Sequence, residues 1–397
     1  MAVQQQAVDL LVVGGGMVGL ATAIAAAQVG FRVEVLEKND WPTECPASPQ
    51  ARVSALTRAS ENLLRTLGVW ELIPPSRRGA YRHMRVWQDT PALNIAFSAR
   101  DLAEPNLGHI VENEVLRWAL CQVAKEVGVR LRPRQHIEGI VNDVDRVLVK
   151  DADGGEIAAK VLVATDGGNS RVRQALGIIT EQKPYHQTAF VALVGAEKGF
   201  GRCAWQRFLP TGPLAFLPLT GESGAARRGA LASIVWTVDD DEAAQRSTWQ
   251  PEDWCAALES ASQNEFGKLC LRSRVSAFPL VSRHAVRYRE GRVVLAGDAA
   301  HTIHPLAGQG VNLGFSDAES LVRWLAKGLQ NGHGDICRYL QAYESERRGV
   351  NQKTRQAMTA IGRLFKMPSF VLEPGLVMLQ RMPFARRSMA RMALYGE

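Results

Sequence analysis

Four short apolar runs, each closed by glycine or an acid, are the clearest pattern along the chain. They lie at residues 8–13, 32–36, 160–164 and 293–296. Runs of this length that stop at turn residues are typical of buried strands in a parallel sheet. The alanine-rich stretch after the first run predicts a helix that extends to Val29 and stops at Gly30. Because parallel strands end at the same edge of a sheet, we expect the polar residues after these runs to lie together.

The turn after the first run carries the spacing G-x-G-x-x-G, formed by Gly14, Gly16 and Gly19. The first glycine permits the tight turn, the second lets a pyrophosphate approach the backbone, and the third lets helix and strand pack closely. Free N–H groups at the helix N-terminus can bind the phosphates. Glu37 closes the next run, near the spacing at which an acid accepts hydrogen bonds from ribose hydroxyls. The pattern predicts one bound dinucleotide and leaves FAD and NAD open.

A β-rich pattern occupies the middle of the chain. Apolar runs at 188–195, 214–219 and 230–238 are separated by polar segments, among them the basic stretch 221–229. A chain of 397 residues is expected to form more than one domain. We predict an α/β fold with a discontinuous Rossmann-like domain (1–75, 100–180 and 286–345), a β-sheet substrate domain (76–99 and 181–285) and a C-terminal helical region (346–397).

Composition and charge argue against several classes of protein. The net charge of +7 is modest for this length and the basic residues are scattered, so we expect no nucleic-acid partner. The six cysteines form no CxxC pair, which argues against a zinc site and a disulfide framework. His301 and His304 have no acid or cysteine partner at helical spacing, and we expect no metal. Without a long apolar run or a leader-like N-terminus, the chain is expected to be cytoplasmic.

Acid-glycine turns follow the third and fourth runs, at Asp166-Gly167 and Gly297-Asp298. Together with the glycine motif, they resemble those of the FAD-dependent aromatic hydroxylases of the para-hydroxybenzoate hydroxylase type. The stretch HPLAGQGVNLGFSD at 304–317 is similar to a signature of the ubiquinone-biosynthesis hydroxylases in that family. The resemblance spans the chain and weakens beyond about residue 350. Thr165 and Ala296 depart from the family's usual alanine and glycine, and neither change removes a polar contact.

The resemblance implies that the dinucleotide is FAD and indicates which residues bind it. Asp298 would accept a hydrogen bond from a ribityl hydroxyl, and Arg52 would line the flavin. Backbone amides after the His304-Pro305 pair would face the flavin ring, where such donors stabilise the negative charge of the reduced form. The implied cofactor-binding residues are Gly14, Gly16, Val18, Gly19, Glu37, Lys38, Arg52, Asn113, Asp166, Gly167, Gly297, Asp298, Pro305, Gly308, Gln309, Gly310 and Asn312.

The resemblance also implies a reaction. NAD(P)H would reduce FAD, and O2 would then form a flavin hydroperoxide that hydroxylates the ring of a polyprenylphenol in ubiquinone biosynthesis. Three alternatives remain: a demethoxyubiquinone hydroxylase of the same pathway, a hydroxylase of a small soluble aromatic acid, and a flavoprotein scaffold without turnover. No catalytic residue is assigned. His284 and Tyr288 precede the fourth run, and each is a candidate base whose alternative is a structural role.

Two further regions have more than one interpretation. Six large apolar residues of the β-rich region could line a substrate pocket or belong to the core: Trp87, Phe190, Trp205, Phe216, Phe278 and Leu280. In the segment 375–397, arginines alternate with methionine and phenylalanine, as in a basic amphipathic helix. Such a helix would lie on the inner membrane surface, contact a partner in a biosynthetic complex, pack on its own domain, or form a homo-oligomer interface.

Overall fold

The computed structural model describes residues 8–88, 95–152, 154–220, 230–303, 309–330 and 336–364, with the backbone alone for 309 and 361–364. The strands within these ranges are β1 (Val8–Val13), β2 (Val33–Leu36), β3 (Val53–Leu56), β4 (Gly79–Tyr81), β5 (His83–Trp87), β6 (Ile95–Ser98), β7 (Gly108–Glu112), β8 (Arg130–Arg132), β9 (Ile137–Asn142), β10 (Val147–Asp151), β11 (Glu156–Ala164), β12 (Thr180–Ala196), β13 (Cys203–Leu209), β14 (Gly212–Leu219), β15 (Leu231–Asp239), β16 (Leu269–Leu271), β17 (Ser276–Ala285), β18 (Arg289–Glu290), β19 (Val293–Leu295) and β20 (His301–Thr302).

Helices connect these strands and follow the last of them. They are α1 (Met17–Gln28), α2 (Arg58–Thr66), α3 (Asn113–Glu126), α4 (Arg171–Ala175), α5 (Asp240–Arg246), α6 (Pro251–Ala261), α7 (Gln309–Gln330) and α8 (Ile336–Leu364). Among the helices in the described ranges, none has the length and apolar character needed to span a membrane. Four predicted features lie outside the described residues: the basic stretch 221–229, His304, the Pro305 and Gly308 positions, and the amphipathic segment 375–397.

The first sheet has eight strands, ordered β18-β19-β11-β1-β2-β8, with β10 beside β11 and β9 beside β10. Pairing is parallel from β19 through β11, β1 and β2 to β8. The four apolar runs of the sequence are strands of this sheet, and β1 has the predicted bounds. Their side chains share one apolar core with Leu20 of α1, Leu120 of α3 and Phe315 of α7. The predicted buried parallel sheet is therefore confirmed.

Nine strands form the second sheet, in the order β20-β17-β12-β15-β14-β13-β5-β6 with β16 beside β12. One face packs on α6, where Phe190, Phe216 and Trp254 belong to the same buried cluster. Of the two interpretations left open for Phe190 and Phe216, the structure therefore favours the core over the substrate pocket. Side chains alternate between the faces of a strand, and these two rings lie on the face that the helix covers. The predicted α/β class with a second, β-sheet part is confirmed.

A three-stranded sheet, ordered β3-β7-β4, lies beside the two large sheets. Ile110 of β7 packs against Leu193 and Leu219 of the second sheet. Strand β4 thus pairs with β7, although its neighbours β5 and β6 in the predicted 76–99 segment join the second sheet. Helix α8 runs across the predicted boundary between 345 and 346. The division into domains stays a prediction.

A buried carboxylate ties α2 to its surroundings. Glu61 is 2% exposed, and both Arg58 and Arg65 donate hydrogen bonds of 2.6 Å to its carboxylate. His109 Nδ1 of β7 lies 3.0 Å from Glu61 Oε2. Burial alone would raise the pKa of Glu61, but His109 and the two arginines lower it to about 2. The ionised form of Glu61 therefore stabilises the folded protein.

We expect E61Q to be less stable than the wild type at pH 7 by about 2–3 kcal/mol, because one pKa unit corresponds to about 1.4 kcal/mol. The folded pKa lies below the ordinary value of 4.5. This stabilisation is therefore present above pH 4.5 and is lost as the pH falls toward 2. Urea unfolding at pH 7 and at pH 3 measures it. The difference between variant and wild type should fall by more than half at pH 3, and an equal difference at both pH values would contradict the assignment.

Candidate functional site

Four polar turns lie side by side at one edge of the first sheet. Strands β19, β11, β1 and β2 are neighbours and run parallel, so their carboxyl ends share that edge. The turns that follow them contain Gly297-Asp298, Asp166-Gly167, the Gly14 motif and Glu37. Neighbouring strands are separated by about 4.8 Å, so one elongated ligand can touch all four turns. The predicted meeting of these turns is confirmed.

The glycine motif is closely packed at two of its three glycines. Gly14 has a φ of +106°, and a Cβ atom there would lie 2.5 Å from the carbonyl oxygen of Thr165. A Cβ atom at Gly19 would lie 2.0 Å from the Gly14 carbonyl oxygen. The hydroxyl of Thr165 donates to the carbonyl oxygens of Val13 (3.0 Å) and Gly14 (2.9 Å). Thr165, a departure from the family pattern, therefore helps to close the turn.

Gly16, in contrast, faces open space. A Cβ atom at this position would meet no heavy atom within 4 Å. Gly16 is the N-cap of α1, no side chain caps the helix there, and its first turn contains no acidic residue. Helix N-termini carry a partial positive charge and free N–H donors. This end of α1 therefore offers both room and donors to a phosphate group.

Glu37 is 8% exposed and already interacts with the chain. Its Oε2 atom accepts a 2.7 Å hydrogen bond from the Gly15 amide, and its Oε1 atom accepts two bonds of 3.0 Å from Asn39. Arg117, which the sequence did not indicate, donates to the Gly15 carbonyl oxygen at 3.0 Å. The acid thus fixes the glycine turn, and its predicted contact with a ribose remains a prediction. The predicted neighbour Lys38 is exposed.

The turn after β11 contains an acid that is only partly satisfied by the protein. Asp166 Oδ2 accepts hydrogen bonds from the amides of Arg171 (2.8 Å) and Val172 (3.2 Å) at the start of α4. Its Oδ1 atom is buried and has no hydrogen-bond partner in the described part of the chain. Gly167 follows with a φ of +85°. Burying an acceptor without a partner is costly, which indicates that a ligand or water supplies the missing donor.

The turn after β19 presents the second acid. Gly297 has a φ of +58°, and Asp298 is exposed to solvent. Burial nevertheless raises the pKa of Asp298, although His301, Arg52 and Arg283 act in the opposite direction. Asp298 is therefore open to solvent and lies near these three side chains at the strand-end edge. An acceptor in this position suits a ligand hydroxyl.

Two arginines lie at the acid-glycine turns and were missed by the sequence reasoning, and the first of them joins one turn to the other. Arg173 is 3% exposed and donates at 2.7 Å to the carbonyl oxygens of both Ala299 and Gly168. Arg283 of β17 approaches Gly168, where a Cβ atom would lie 3.1 Å from its Nη1 atom. Its Nε atom is buried without a hydrogen-bond partner among the residues described. The spacing of the motifs indicates neither arginine, because their partners are remote in sequence.

The predicted contacts Arg52 and Asn113 lie together at the start of β3 and α3. The Arg52 guanidinium lies 5.5 Å from the centre of the Phe278 ring, which projects from β17. The Asn113 amide donates to the Arg52 carbonyl oxygen at 3.0 Å. Its side-chain Oδ1 accepts a 2.7 Å bond from Ser54. The structure thus brings both residues to the side of the cleft that the second sheet lines, and their contact with FAD remains a prediction.

Helix α7 begins at Gln309 and Gly310, beside β3 and α2. Asn312 is 5% exposed, and its Oδ1 accepts hydrogen bonds from the Ser60 hydroxyl (2.7 Å) and the Thr57 amide (3.1 Å). Its Nδ2 donates to the Ala55 carbonyl oxygen at 2.9 Å. The side chain of Asn312 therefore anchors α7 to its neighbours. The expected approach of backbone amides to a flavin remains a prediction.

Val18 has a packing role. A Cβ atom at Gly297 would lie 3.3 Å from the Val18 side chain, and one at Gly314 would lie 2.4 Å from it. Val18 thus fills the space between α1, α7 and the turn after β19, which requires glycine on both sides.

The two candidate bases, His284 and Tyr288, are enclosed by the protein. His284 is 3% exposed and Tyr288 is fully buried. Burial lowers the pKa of His284 to about 4 and raises the pKa of Tyr288.

The residues of this cleft fit FAD. The open side of Gly16, the uncapped start of α1, the buried Oδ1 of Asp166 and the Nε atom of Arg283 all lack partners in the described chain. Donors at one end of the cleft suit a pyrophosphate, and acceptors farther along suit hydroxyl groups. A dinucleotide with a long hydroxylated chain satisfies both kinds of group.

Comparison with known proteins gives a consistent result. A family model described as "FAD binding domain" matches residues 7–358. The 3-demethoxyubiquinol 3-hydroxylase of Escherichia coli is 36% identical over 329 residues, which cover 82% of each chain. The human mitochondrial ubiquinone biosynthesis monooxygenase COQ6 is 32% identical over 90% of this chain and 85% of that protein.

A solved structure shows the same fold. The p-nitrophenol 4-monooxygenase of Pseudomonas putida superposes with a TM-score of 0.79 at 21% identity, over 98% of each chain. The family model covers both sheets and all four polar turns. The chain therefore belongs to the FAD-binding family that includes these hydroxylases, and it is an FAD-dependent monooxygenase.

Proposed function

We propose that the chain hydroxylates the ring of a polyprenylated phenol in ubiquinone biosynthesis, with NAD(P)H as the transient reductant and O2 as the oxidant. The observation that carries this proposal is the similarity, at 32% identity over most of the chain, to a relative named for ubiquinone biosynthesis. The cleft at the strand ends supports it, because it has the donors and acceptors that FAD requires.

The second sheet supports an apolar substrate. On the face opposite α6, Ser276, Val191, Val235, Ala215 and Gln206 form one row across five neighbouring strands. Val191, Val235 and Ala215 at the centre of the row are only partly buried. Partly exposed apolar side chains beside a cofactor site are typical of a binding site for an apolar ligand. These three side chains are aliphatic, which suits the prenyl tail of a prenylated phenol.

The chain's own residues would perform four tasks in the reaction. The Gly14–Gly16 turn and the start of α1 hold the phosphates, and Asp298 accepts a hydroxyl of the ribityl chain. Arg52 and Phe278 form the end of the cleft that meets the second sheet. The apolar row holds the substrate ring and its tail and keeps water away from them. Bound FAD supplies the transfer of two electrons from NAD(P)H and the activation of O2.

A second candidate is the hydroxylation of a demethoxyubiquinol, the activity for which the Escherichia coli relative is named. Mass spectrometry of the quinones in cells that lack the gene separates the two. Accumulated polyprenylphenol places the enzyme at the step that we propose. Accumulated demethoxyubiquinol assigns it to the second candidate, and an unchanged ubiquinone pool rejects both.

The apolar row can be tested directly. We expect V235D to raise the KM for a prenylated phenol about tenfold or more, because a charge beside an apolar ligand costs at least about 1.4 kcal/mol. The dissociation constant of FAD should not change. V141D is the matched control, since Val141 is an exposed valine of the first sheet. If V235D retains both its melting temperature and the wild-type KM, the row does not bind the substrate.

We also propose a peripheral contact with the membrane or with other enzymes of the pathway, made by the segment 375–397. Its alternating arginines and apolar residues suit an anionic surface. Sedimentation of the purified full-length protein with anionic vesicles, compared with a variant shortened to residue 374, tests the contact. Equal sedimentation of both proteins would reject it.

A further inference from the structure

A buried polar cluster lies directly behind the turn that carries Asp298. Its centre is Asp317 of α7, whose side chain is inaccessible to solvent. Asp317 Oδ2 accepts hydrogen bonds from the Gly297 amide (3.0 Å) and His301 Nε2 (2.6 Å). Its Oδ1 accepts bonds from Arg347 Nε (2.8 Å) and Asn351 Nδ2 (3.0 Å), both on α8. We call these five residues the Asp317 cluster.

The charge of Asp317 is maintained by its neighbours. Burial would raise the pKa of this carboxyl, but His301 and Arg347 lower it to about 2. The folded protein therefore contains an ionised carboxylate in its interior, with four donors directed at its two oxygens. Removing one member of a buried, charged network is costly, because the groups left behind lose their partners. Each member consequently constrains the others.

The cluster controls the backbone from which Asp298 projects. Gly297 has no side chain, and its left-handed conformation (φ +58°) is one that other residues rarely adopt. Its amide is held by Asp317, and its carbonyl oxygen accepts a 2.9 Å bond from the Ala300 amide. The direction of the Asp298 side chain follows from the conformation of this turn. The position of Asp298 therefore depends on a residue that does not face the cleft.

We infer that Asp317 is a positioning residue for flavin binding, and that it couples the Gly297–Asp298 turn to helix α8 through Arg347 and Asn351. The inference rests on the proposed contact between Asp298 and FAD. Because coupling between two sites is reciprocal, FAD should stabilise the docking of α8, and loss of the α8 contacts should weaken FAD binding. Helix α8 then acts on the cofactor without touching it.

The experiment uses the full-length protein, freed of FAD and titrated with FAD while its fluorescence is followed. D317N keeps the shape of the side chain and replaces one acceptor by a donor. N351A removes one donor to Asp317 and one acceptor of Arg347 (3.1 Å), and it leaves the Asp317–Arg347 ion pair in place, so it tests the coupling if D317N does not fold. E346Q is the matched control. Glu346 also joins α7 and α8, through Arg323 (2.6 Å) and Trp324 (2.9 Å), and lies outside the Asp317 cluster.

We expect the dissociation constant of FAD to rise at least tenfold in D317N and severalfold in N351A, and to stay within twofold in E346Q. Limited proteolysis gives a second readout. FAD should slow cleavage within α8 in the wild type and in E346Q, and this protection should be reduced in D317N and N351A.

Two outcomes would overturn the inference. One is an unchanged FAD affinity in N351A and in folded D317N. The other is an equal loss of affinity in E346Q, which would indicate general packing of the two helices. A wild-type protein that fails to bind FAD would reject the proposed site itself, so the two failures are distinguishable.

Discussion

G14A is expected to destabilise the protein severely, whereas G16A is expected to leave the fold intact and to lose FAD. Alanine at position 14 would have to adopt a φ of +106° and place its Cβ atom 2.5 Å from the Thr165 carbonyl oxygen. Strain and overlap together should cost about 3 kcal/mol or more. Alanine at position 16 meets no protein atom within 4 Å, and the backbone there is extended. Its stability should change by less than about 0.5 kcal/mol.

The effect of G16A on FAD has a different cause. The added methyl group fills the space that we assign to the pyrophosphate, and we expect the dissociation constant of FAD to rise about tenfold or more, which corresponds to about 1.4 kcal/mol. Urea unfolding of the apoproteins and FAD titration measure the two effects separately. G30A is the control for backbone strain alone, since Gly30 has a φ of +98° and open space around it. Wild-type FAD affinity in G16A would show that the phosphates do not approach this turn.

Local patterns in the sequence were sufficient to predict the strands, helix and turns that surround the cofactor cleft. The run 8–13 is β1, the glycine turn leads into α1, and the predicted acid-glycine turns follow β11 and β19. These features depend on neighbours in sequence, because strand length, turn chemistry and the glycine requirement are all local properties. The parallel arrangement of the strands then brings the turns together, and this followed from a general rule of such sheets.

Other features depend on contacts between distant parts of the chain. Arg173 bonds to Ala299, 126 residues away, and Arg347 bonds to Asp317 from the next helix. No local pattern distinguishes these arginines from exposed ones. The same limit explains why the sequence left two interpretations open for Phe190 and Phe216. Alternation along a strand shows that two faces exist, but only the packing of α6 on one face shows which side chains are enclosed.

D298N is expected to weaken FAD binding about tenfold or more and to leave the apoprotein at least as stable as the wild type at pH 7. Asparagine keeps the size of the side chain and loses the charged acceptor that suits a ribityl hydroxyl. Burial raises the pKa of Asp298 above its ordinary value of 3.8. The folded state therefore binds the proton more tightly than the unfolded state does. Ionisation of Asp298 lowers the stability of the apoprotein as the pH rises through the folded pKa, and D298N avoids this loss.

FAD titration at pH 7 and urea unfolding of the apoproteins at pH 4 and pH 7 test both parts. The stability of the wild type relative to D298N should be greater at pH 4 than at pH 7. D145N is the control, because Asp145 is an exposed acid on the turn between β9 and β10. A D298N protein that binds FAD as the wild type does would remove Asp298 from the binding site. A D298N apoprotein that is less stable than the wild type at pH 7 would instead indicate that the carboxylate supports the fold. A carboxylate that serves only to bind FAD is expected to lower the stability of the apoprotein.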